Sequence, residues 1–575
     1  MASSHRGAHK RLIVCCDGTW MDSLGSKGAE PQSNVARISR VFRRTCQDGT
    51  HQIIMYHAGV GSSESIVDKF TGGMFGVGLD NSIREAYNFI CTNYVDGDDI
   101  ILIGFSRGAF TARSVADMIA TVGLLTPQGL GHFYGVFEDY ESMGDIHREL
   151  SLFLDPEMLP YRGEKEAAKV NWEARRKLQY KSWLSKNGLT RYTYRDSEVL
   201  HDITIKAVGV WDTVGTLGIP PAPVIGLRGN TQVSDHVENA FHALALDERR
   251  YAFHPALWEK LDDNKTDLKQ VWFPGSHAGV GGGWHEQQIA NITLAWMCDQ
   301  LSSIGVEFNI GRIEDIFTEG LRYSAGHPFS YVPASPWTPW LWSKQQLPWA
   351  NPKICSVKAS SIRRDEAECD GKDHHPIGSE EELWKTARPW GLGQIRYPTS
   401  RLQTMTGITI RHPGTFMRTD PETNEDSDQP LLNTNERIHI SVRVRLACQG
   451  LGMDDAEVWD CKPLTRDDEG SELWKLERVP KMDASSGNSI KEARPKELDL
   501  DAEVYNARLY PVKKEDGQWQ WVFADAEKQR NAVPQARTLP EEPMMGYWEQ
   551  YLLALTAGKP DVWRWAEENP PFGLI

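Results

Sequence analysis

The chain lacks a long apolar run. Residues 1–10 are polar and basic and lead straight into the short apolar stretch 11–16, which is too brief for the apolar core of a secretion signal or for a membrane span. The expectation is a cytoplasmic protein without a transmembrane segment, with peripheral contact to a membrane left open. Cysteine is scarce and unpatterned: nine residues, an odd number with no Cys-x-x-Cys pair, argue against both a disulfide framework and a zinc ribbon and for free thiols. Cys369, Asp373, His374 and His375 are metal-ligand types at a spacing that fits no standard zinc site, so neither a metal nor another cofactor is expected. Positive charge is in deficit, with 63 Lys and Arg against 79 Asp and Glu for a formal net charge of −16. Such a balance leaves no footprint for nucleic acid and mildly repels anionic surfaces.

What is present begins with Gly104-Phe105-Ser106-Arg107-Gly108, which follows the strand-like run Asp99-Ile100-Ile101-Leu102-Ile103 and leads into a helix-like run over 109–116. A sharp strand-to-helix turn of this kind lifts a serine hydroxyl above the sheet, and the positions two before and two after must be small because side chains there would collide. Glycine occupies both. The helix also aims its first amides at the spot where a carbonyl oxygen would gain negative charge. The plainer alternative is a glycine-bracketed turn with an ordinary capping serine.

At 575 residues, 40% hydrophobic and 25% charged, the chain has room for about two to four domains. Its first 300 residues alternate short apolar strands (12–16, 52–56, 100–103, 203–210, 269–273) with amphipathic helices (34–42, opened by Ser33 or Asn34, and 80–94, with Ile83, Ala86, Tyr87 and Ile90 on one face). That pattern predicts an α/β fold: a mostly parallel sheet of α/β-hydrolase type with helices on both faces. The helical, charged stretch 124–200 is expected as a cap insertion over the active site. The domain expectation is a catalytic unit over 1–310 and a Trp-rich α+β accessory region over 311–575.

Two further residues fit the serine. Asp212 stands where the strand 203–210 runs out, on the rim that parallel strands share with the elbow; Asp17 and Asp247 are its rivals for the acid role, and a plain loop aspartate is the bland alternative. His277 follows the strand Lys269 to Phe273 and precedes a glycine-rich loop that lets a substrate approach closely, against His201, His242, His254 and His285 among 17 histidines. The order Ser106, Asp212, His277 is that of nucleophile, acid and base in this architecture.

These strings, with Cys16-Asp17-Gly18-Thr19-Trp20, Gly209-Val210-Trp211-Asp212-Thr213-Val214-Gly215, His242-Ala243-Leu244-Ala245-Leu246-Asp247-Glu248-Arg249 and Trp272-Phe273-Pro274-Gly275-Ser276-His277 followed by Val280-Gly281-Gly282-Gly283, resemble the DUF2235 family over roughly residues 10–310. Its bacterial members include type VI secretion phospholipase effectors of the Tle1 class, and this chain looks like a fungal-type cytosolic member. The resemblance implies an α/β-hydrolase with a serine nucleophile, and release of fatty acid from glycerophospholipids is the activity of the bacterial effectors. Where the family loop commonly reads His-Ser-Asp-Val-Gly-Gly, this chain carries Ala278 and Gly279, removing a hydroxyl and a carboxylate.

The expected function is that of a serine hydrolase cleaving a carboxylic ester of a lipid or other hydrophobic acyl compound. The oxyanion donors are expected from the backbone of Arg107, Gly18 and Thr19, and substrate contacts from Asp17, Trp20 and Trp211. The Arg107 side chain suits either a phosphate or carboxylate on the substrate or a neighbouring acid such as Asp17. The alternative is a non-catalytic hydrolase fold serving as a binding or scaffold module. Beyond residue 310 lie thirteen of the 21 tryptophans, including the proline-broken stretch Trp337 to Trp342, which reads as packing, an acyl pocket or a membrane contact. Mobile loops are expected at 363–382 and 419–429, a strand over 438–446, a hairpin of 504–512 with 518–523, and a helix over 547–555.

Overall fold

The computed structural model describes residues 9–18, 31–59, 75–163, 166–214, 231–327, 387–397, 407–419, 426–479, 518–524, 537–544 and 546–555, with 566 and 571. At its centre is a ten-stranded sheet. In spatial order its strands are Trp474–Arg478, Trp519–Phe523, Thr538–Glu542, Glu436–His439, Asp267–Phe273, Asn239–Ala245, Ala207–Trp211, Asp99–Phe105, Lys10–Cys16 and His51–His57. Every neighbouring pair from His51–His57 through Thr538–Glu542 runs parallel; Trp519–Phe523 runs antiparallel to both its neighbours. This is the mostly parallel α/β sheet that the alternation of elements predicts.

The apolar runs explain why the sheet is covered on both faces. In Lys10–Cys16 and Asp99–Phe105 every residue after the first is buried, the signature of a parallel strand with helices on either side. Successive side chains point to opposite faces. Leu12, Val14 and Leu102 pack with Ile83, Tyr87, Val115 and Ile119 on one side, while Ile13, Cys15, Ile101 and Ile103 pack with Val35, Ile38, Trp272 and Trp296 on the other. The helix Asn34–Val41 is capped by Ser33, whose hydroxyl accepts the Ala36 N–H at 3.0 Å. The helix Phe75–Asn93 begins earlier than its apolar stripe suggests.

The stretch 124–200 leaves and rejoins the fold through a two-stranded stem, Leu124–Leu125 against Thr190–Arg191. Between them, the helices Phe133–Glu141 and Glu166–Lys186 bury Val136, Phe137, Tyr140, Tyr180 and Leu184 against the helix Arg107–Val122. Its polar contacts run along the middle and far end of that helix: Tyr140 donates to Asp117 at 2.7 Å, and Lys181 to the Ala120 carbonyl at 3.5 Å. These contacts make it a layer on the side of the sheet, and they lend no support to a lid above Ser106.

The C-terminal half joins the same sheet. The helix Ile310–Gly326 buries Ile313 and Phe317 in the main core. Glu436–His439 then pairs directly with Asp267–Phe273. Residues 438–446, expected as one strand, split into the end of Glu436–His439 and the helix Ile440–Ala447. The alternation there is of apolar residues with arginines that are themselves buried: Arg443 pairs with Glu541, and Arg445 donates to the Gly391 and Gly393 carbonyls. Period two therefore did not track exposure. Trp519–Phe523 forms as expected, but pairs with Trp474–Arg478 and Thr538–Glu542, while 504–512 lies outside the described residues. The loop expected at 419–429 is corrected at both ends, where Thr419 and residues 426–429 belong to the paired strands Met417–Thr419 and Asp426–Pro430; 420–425, 363–382, Trp337 to Trp342 and Cys369 to His375 lie outside the described residues. The helix Tyr547–Leu555 is present. Among the described residues no helix is long and apolar enough to cross a membrane.

Candidate active site

Ser106 sits between the strand Asp99–Phe105 and the helix Arg107–Val122 with φ 57° and ψ −122°. This is a conformation that non-glycine residues adopt only when their surroundings impose it, and such strain concentrates at functional sites. The flanking glycines make it sterically possible. A Cβ at Gly104 would lie 2.4 Å from the Gly108 carbonyl oxygen, and one at Gly108 would lie 2.1 Å from that of Cys16 and 2.4 Å from that of Asp17. The Ser106 N–H donates to the Trp211 carbonyl at 3.1 Å, which ties the elbow to the end of the neighbouring strand.

One residue beyond Trp211, Asp212 turns out of that strand with φ 38°, and its N–H donates to the Ala243 carbonyl at 2.7 Å. Its carboxylate is fully buried and accepts from His277 Nδ1 at 2.5 Å, from Arg411 Nη1 at 2.7 Å, from Arg411 Nη2 at 3.2 Å and from the Ala245 N–H at 3.0 Å. A carboxylate only accepts, so Nδ1 carries the proton and the neutral ring presents Nε2 as a base. The His277 ring lies between Phe105, at a centroid distance of 4.7 Å, and Phe253, edge-on at 4.8 Å. Phe105 immediately precedes Ser106, and its ring also occupies the place of any side chain at Gly281, where a Cβ would lie 2.0 Å from it. The elbow and the histidine loop are thus packed together. Among the described hydrogen bonds none joins Ser106 Oγ to His277.

The rival acids and histidines are occupied elsewhere. Asp17 accepts from the Gly18 N–H at 2.7 Å, Ser33 at 2.6 Å and Tyr56 at 2.7 Å. Asp247 accepts from the Gly275 N–H at 2.7 Å and the Trp459 indole at 2.8 Å, bracing the histidine loop. His242 accepts the Thr213 N–H at 3.0 Å behind the site, His201 and His285 stack on Tyr194 and Tyr323, and His254 stands edge-on to Phe416. Gly18 corrects the oxyanion expectation: its N–H is engaged with the Asp17 carboxylate. Arg107 opens the elbow helix, so its amide points along the axis toward the rim. Trp211, expected to touch substrate, is fully buried in the core beneath the site. Thr19 and Trp20 lie outside the described residues.

Sequence reasoning missed Arg411 and Phe253. Neither belongs to a motif, and Arg411 is nearly 200 residues from its partner, |i−j| = 199. The only local sign is Arg411 standing in an otherwise uncharged run, Ile408-Thr409-Ile410.

Burial alone would push the Asp212 carboxyl up, but Arg411 and His277 outweigh it and hold it well below the usual carboxylate range. Burial pushes the His277 imidazole down, with Asp212 opposing and Arg250 adding to the fall. Burial also lowers the Arg107 guanidinium to about 10. A recess of about 10 Å³ beside Arg107, lined by Asp17, His57, Ser82 and Thr111 among others, has room for about one water and none for an acyl chain. Among the described residues no group of three His, Cys, Asp or Glu is placed to hold a metal ion. Chemically, the arrangement is a strained, buried elbow serine on the same rim as an oriented, buried imidazole.

Comparison with known proteins adds a family match: residues 10–300 match the model described as "T6SS, Phospholipase effector Tle1-like, catalytic domain". "Uncharacterized protein YEL023C" of Saccharomyces cerevisiae is 24% identical, covering 64% of this chain and 66% of its own. Among solved structures, the Tle1 effector bound to the VgrG spike of the type 6 secretion system is 16% identical with a TM-score of 0.24, over 48% of this chain and 52% of that one. An uncharacterized protein from Pseudomonas aeruginosa is 15% identical with a TM-score of 0.30, over 66% and 57%. The chain thus spans less than two thirds of the length of each of these relatives.

Proposed function

This chain belongs to the Tle1-like family of type VI secretion phospholipase effectors, by the catalytic-domain match over residues 10–300, and on that premise we propose that it is a serine hydrolase that cleaves the acyl ester of a lipid or similarly hydrophobic substrate. The observation that carries the reading is the buried Asp212–His277 pair, 2.5 Å apart, on the same rim as the strained Ser106.

In the proposed reaction His277 Nε2 takes the Ser106 hydroxyl proton as Oγ attacks the ester carbonyl carbon. Asp212 holds the ring in the Nδ1–H tautomer and offsets the imidazolium that forms. The tetrahedral oxyanion is met by the first amides of the elbow helix, Arg107 among them. The imidazolium then gives its proton to the leaving alkoxide, and water repeats the sequence to release the fatty acid. A contact between Ser106 and His277 that tightens only when substrate is bound is ordinary for such sites. The preference for a hydrophobic acyl group is taken from the phospholipase description of the matching family.

The test is fatty-acid release from phosphatidylcholine vesicles and from acyl esters of graded chain length, by the chain and by Ser106→Ala. Release that falls at least about a thousand-fold in the variant supports the reading. Equal release by both, or none on any substrate, favours the non-catalytic alternative.

A further inference from the structure

Arg411 lies beyond the residues that the family match covers, and its guanidinium has four acceptors. Nη1 reaches Asp212 Oδ1 at 2.7 Å and the Ala245 carbonyl at 2.8 Å; Nη2 reaches Asp212 Oδ2 at 3.2 Å and the Phe253 carbonyl at 2.5 Å. A planar fork of fixed geometry placed on both oxygens of a carboxylate dictates the plane of that carboxylate. Here the plane matters, because Oδ2 is also the oxygen that holds His277 Nδ1. The same guanidinium fixes the backbone of Phe253, whose ring stands edge-on to His277. The segment that carries Arg411 is itself fastened to the site: the Thr409 N–H donates to the Arg249 carbonyl at 2.8 Å, and the Tyr251 N–H to the Gly407 carbonyl at 3.2 Å.

We propose that Arg411 is a positioning residue that orients Asp212 and keeps His277 an uncharged base, so that the C-terminal half of the chain completes the site. The proposal rests on the serine-hydrolase reading for its catalytic meaning. Its electrostatic content stands apart from that reading. The charged groups facing His277 and Asp212 are Asp212 itself and Glu248, which accepts the His277 N–H at 3.2 Å, against Arg250, which pairs with Glu248, and Arg411. Two negative charges meet two positive ones, and the neutral imidazole adds none. Without Arg411 the cluster carries a net negative charge, which draws a proton onto His277. An ordinary acid–base pair would have its aspartate charge offset only when the imidazolium forms. In this site Arg411 offsets it in advance.

The experiment is a pH titration of His277 by NMR of the full chain with ¹³Cε1-labelled histidine, the resonance assigned by its loss in His277→Gln. Wild type, Arg411→Met and Arg411→Lys are compared, and the rate of Ser106 labelling by a fluorophosphonate is measured on the same samples. In Arg411→Met the His277 pKa is expected to rise by about one unit or more. Arg411→Lys retains the charge without the fork, so its His277 pKa stays near that of wild type while labelling slows. An unchanged His277 pKa in Arg411→Met, or labelling in Arg411→Lys as fast as in wild type at every pH, overturns the proposal. If Arg411→Met does not fold, the lysine variant decides alone. A wild type that never labels at Ser106 defeats the hydrolase reading while leaving the NMR result to judge Arg411.

Discussion

His277 Nδ1 lies 2.5 Å from Asp212 Oδ2, and both side chains are withdrawn from solvent. The pair spans two strand ends, since Asp212 follows Ala207–Trp211 and His277 follows Asp267–Phe273, with Asn239–Ala245 lying between those strands in the sheet. Parallel register is what brings them together: groups just past the carboxyl ends of parallel strands share one rim.

Replacing Asp212 by Asn leaves one oxygen, held by the Ala245 N–H, and turns an NH2 donor toward His277 Nδ1, which selects the wrong tautomer and leaves the Arg411 guanidinium buried without its counter-ion. Reaction at Ser106 should slow by a factor on the order of 10⁴, and the fold should lose about 3–5 kcal/mol. Adding Arg411→Met to Asp212→Asn should recover most of the stability and none of the rate, because the stranded charge is gone while the wrong tautomer is still selected. Urea unfolding and labelling kinetics of the single and double variants check this. Equal stability losses in both would mean that the Asp212–Arg411 pair does not carry the coupling.

The glycine at 108 makes a steric prediction. Its Cβ would meet two backbone oxygens, at 2.1 and 2.4 Å, whereas at Gly49 nothing lies within 4 Å. Gly108→Ala should therefore destabilise by about 3 kcal/mol or more, since neither strand nor helix can yield. Gly49→Ala, with only its φ of 85° against it, should cost about 1–2 kcal/mol. Chemical denaturation of both variants separates the two; comparable losses would contradict the close approach of helix and first strand.

The acid limb of activity should report His277. Burial depresses the pKa of this imidazole below its usual 6.5 despite Asp212, so the base stays neutral to lower pH than a free histidine. The Ser106 labelling rate should hold steady as pH falls to about 6.5 and decline only below it. Stability follows the same sign. Between the depressed native value and 6.5 the unfolded chain binds the proton and the native site does not, so the contribution of this group is full above 6.5 and is lost as pH falls. His242 and His439, both buried and pushed down to about 3, act in the same direction. A labelling limb centred at pH 7 or higher would contradict the buried geometry of His277.

How much of this could be read beforehand depended on whether the signal was local. Gly104, Ser106 and Gly108 were legible because an elbow needs small residues at fixed offsets in one short segment. Asp212 and His277 were legible because each terminates an apolar strand. Arg411 was not, since a buried guanidinium is recognised by the acceptors around it and those come from residues 212, 245 and 253. The strand Asn239–Ala245 went unread for a related reason: His242 interrupts its apolar run, and only its bonds to Thr213 and Gln270 make that histidine a satisfied interior residue. The same holds for the helix Ile440–Ala447, whose buried arginines imitate the exposed positions of a strand.

The two halves of the chain should not separate cleanly. Trp272 in the strand Asp267–Phe273 donates its indole N–H to Glu436 at 3.0 Å, and Trp296 donates to Glu542 at 3.2 Å. A fragment of residues 1–310 would expose the flank of Asp267–Phe273 and strip Arg411 from Asp212. It should be aggregated or molten, with no dispersed NMR spectrum and no labelling at Ser106. A folded, reactive fragment would show that the first 310 residues are an independent catalytic unit.

The most direct measurement is the intact mass of the protein after treatment with a fluorophosphonate, with peptide mapping of the adduct, on wild type, Ser106→Ala and His277→Ala. A single adduct mapping to Ser106, absent from both variants, is the result expected of an elbow serine activated by the Asp212–His277 pair. An adduct that persists in Ser106→Ala, or a wild type that takes up none, would contradict it.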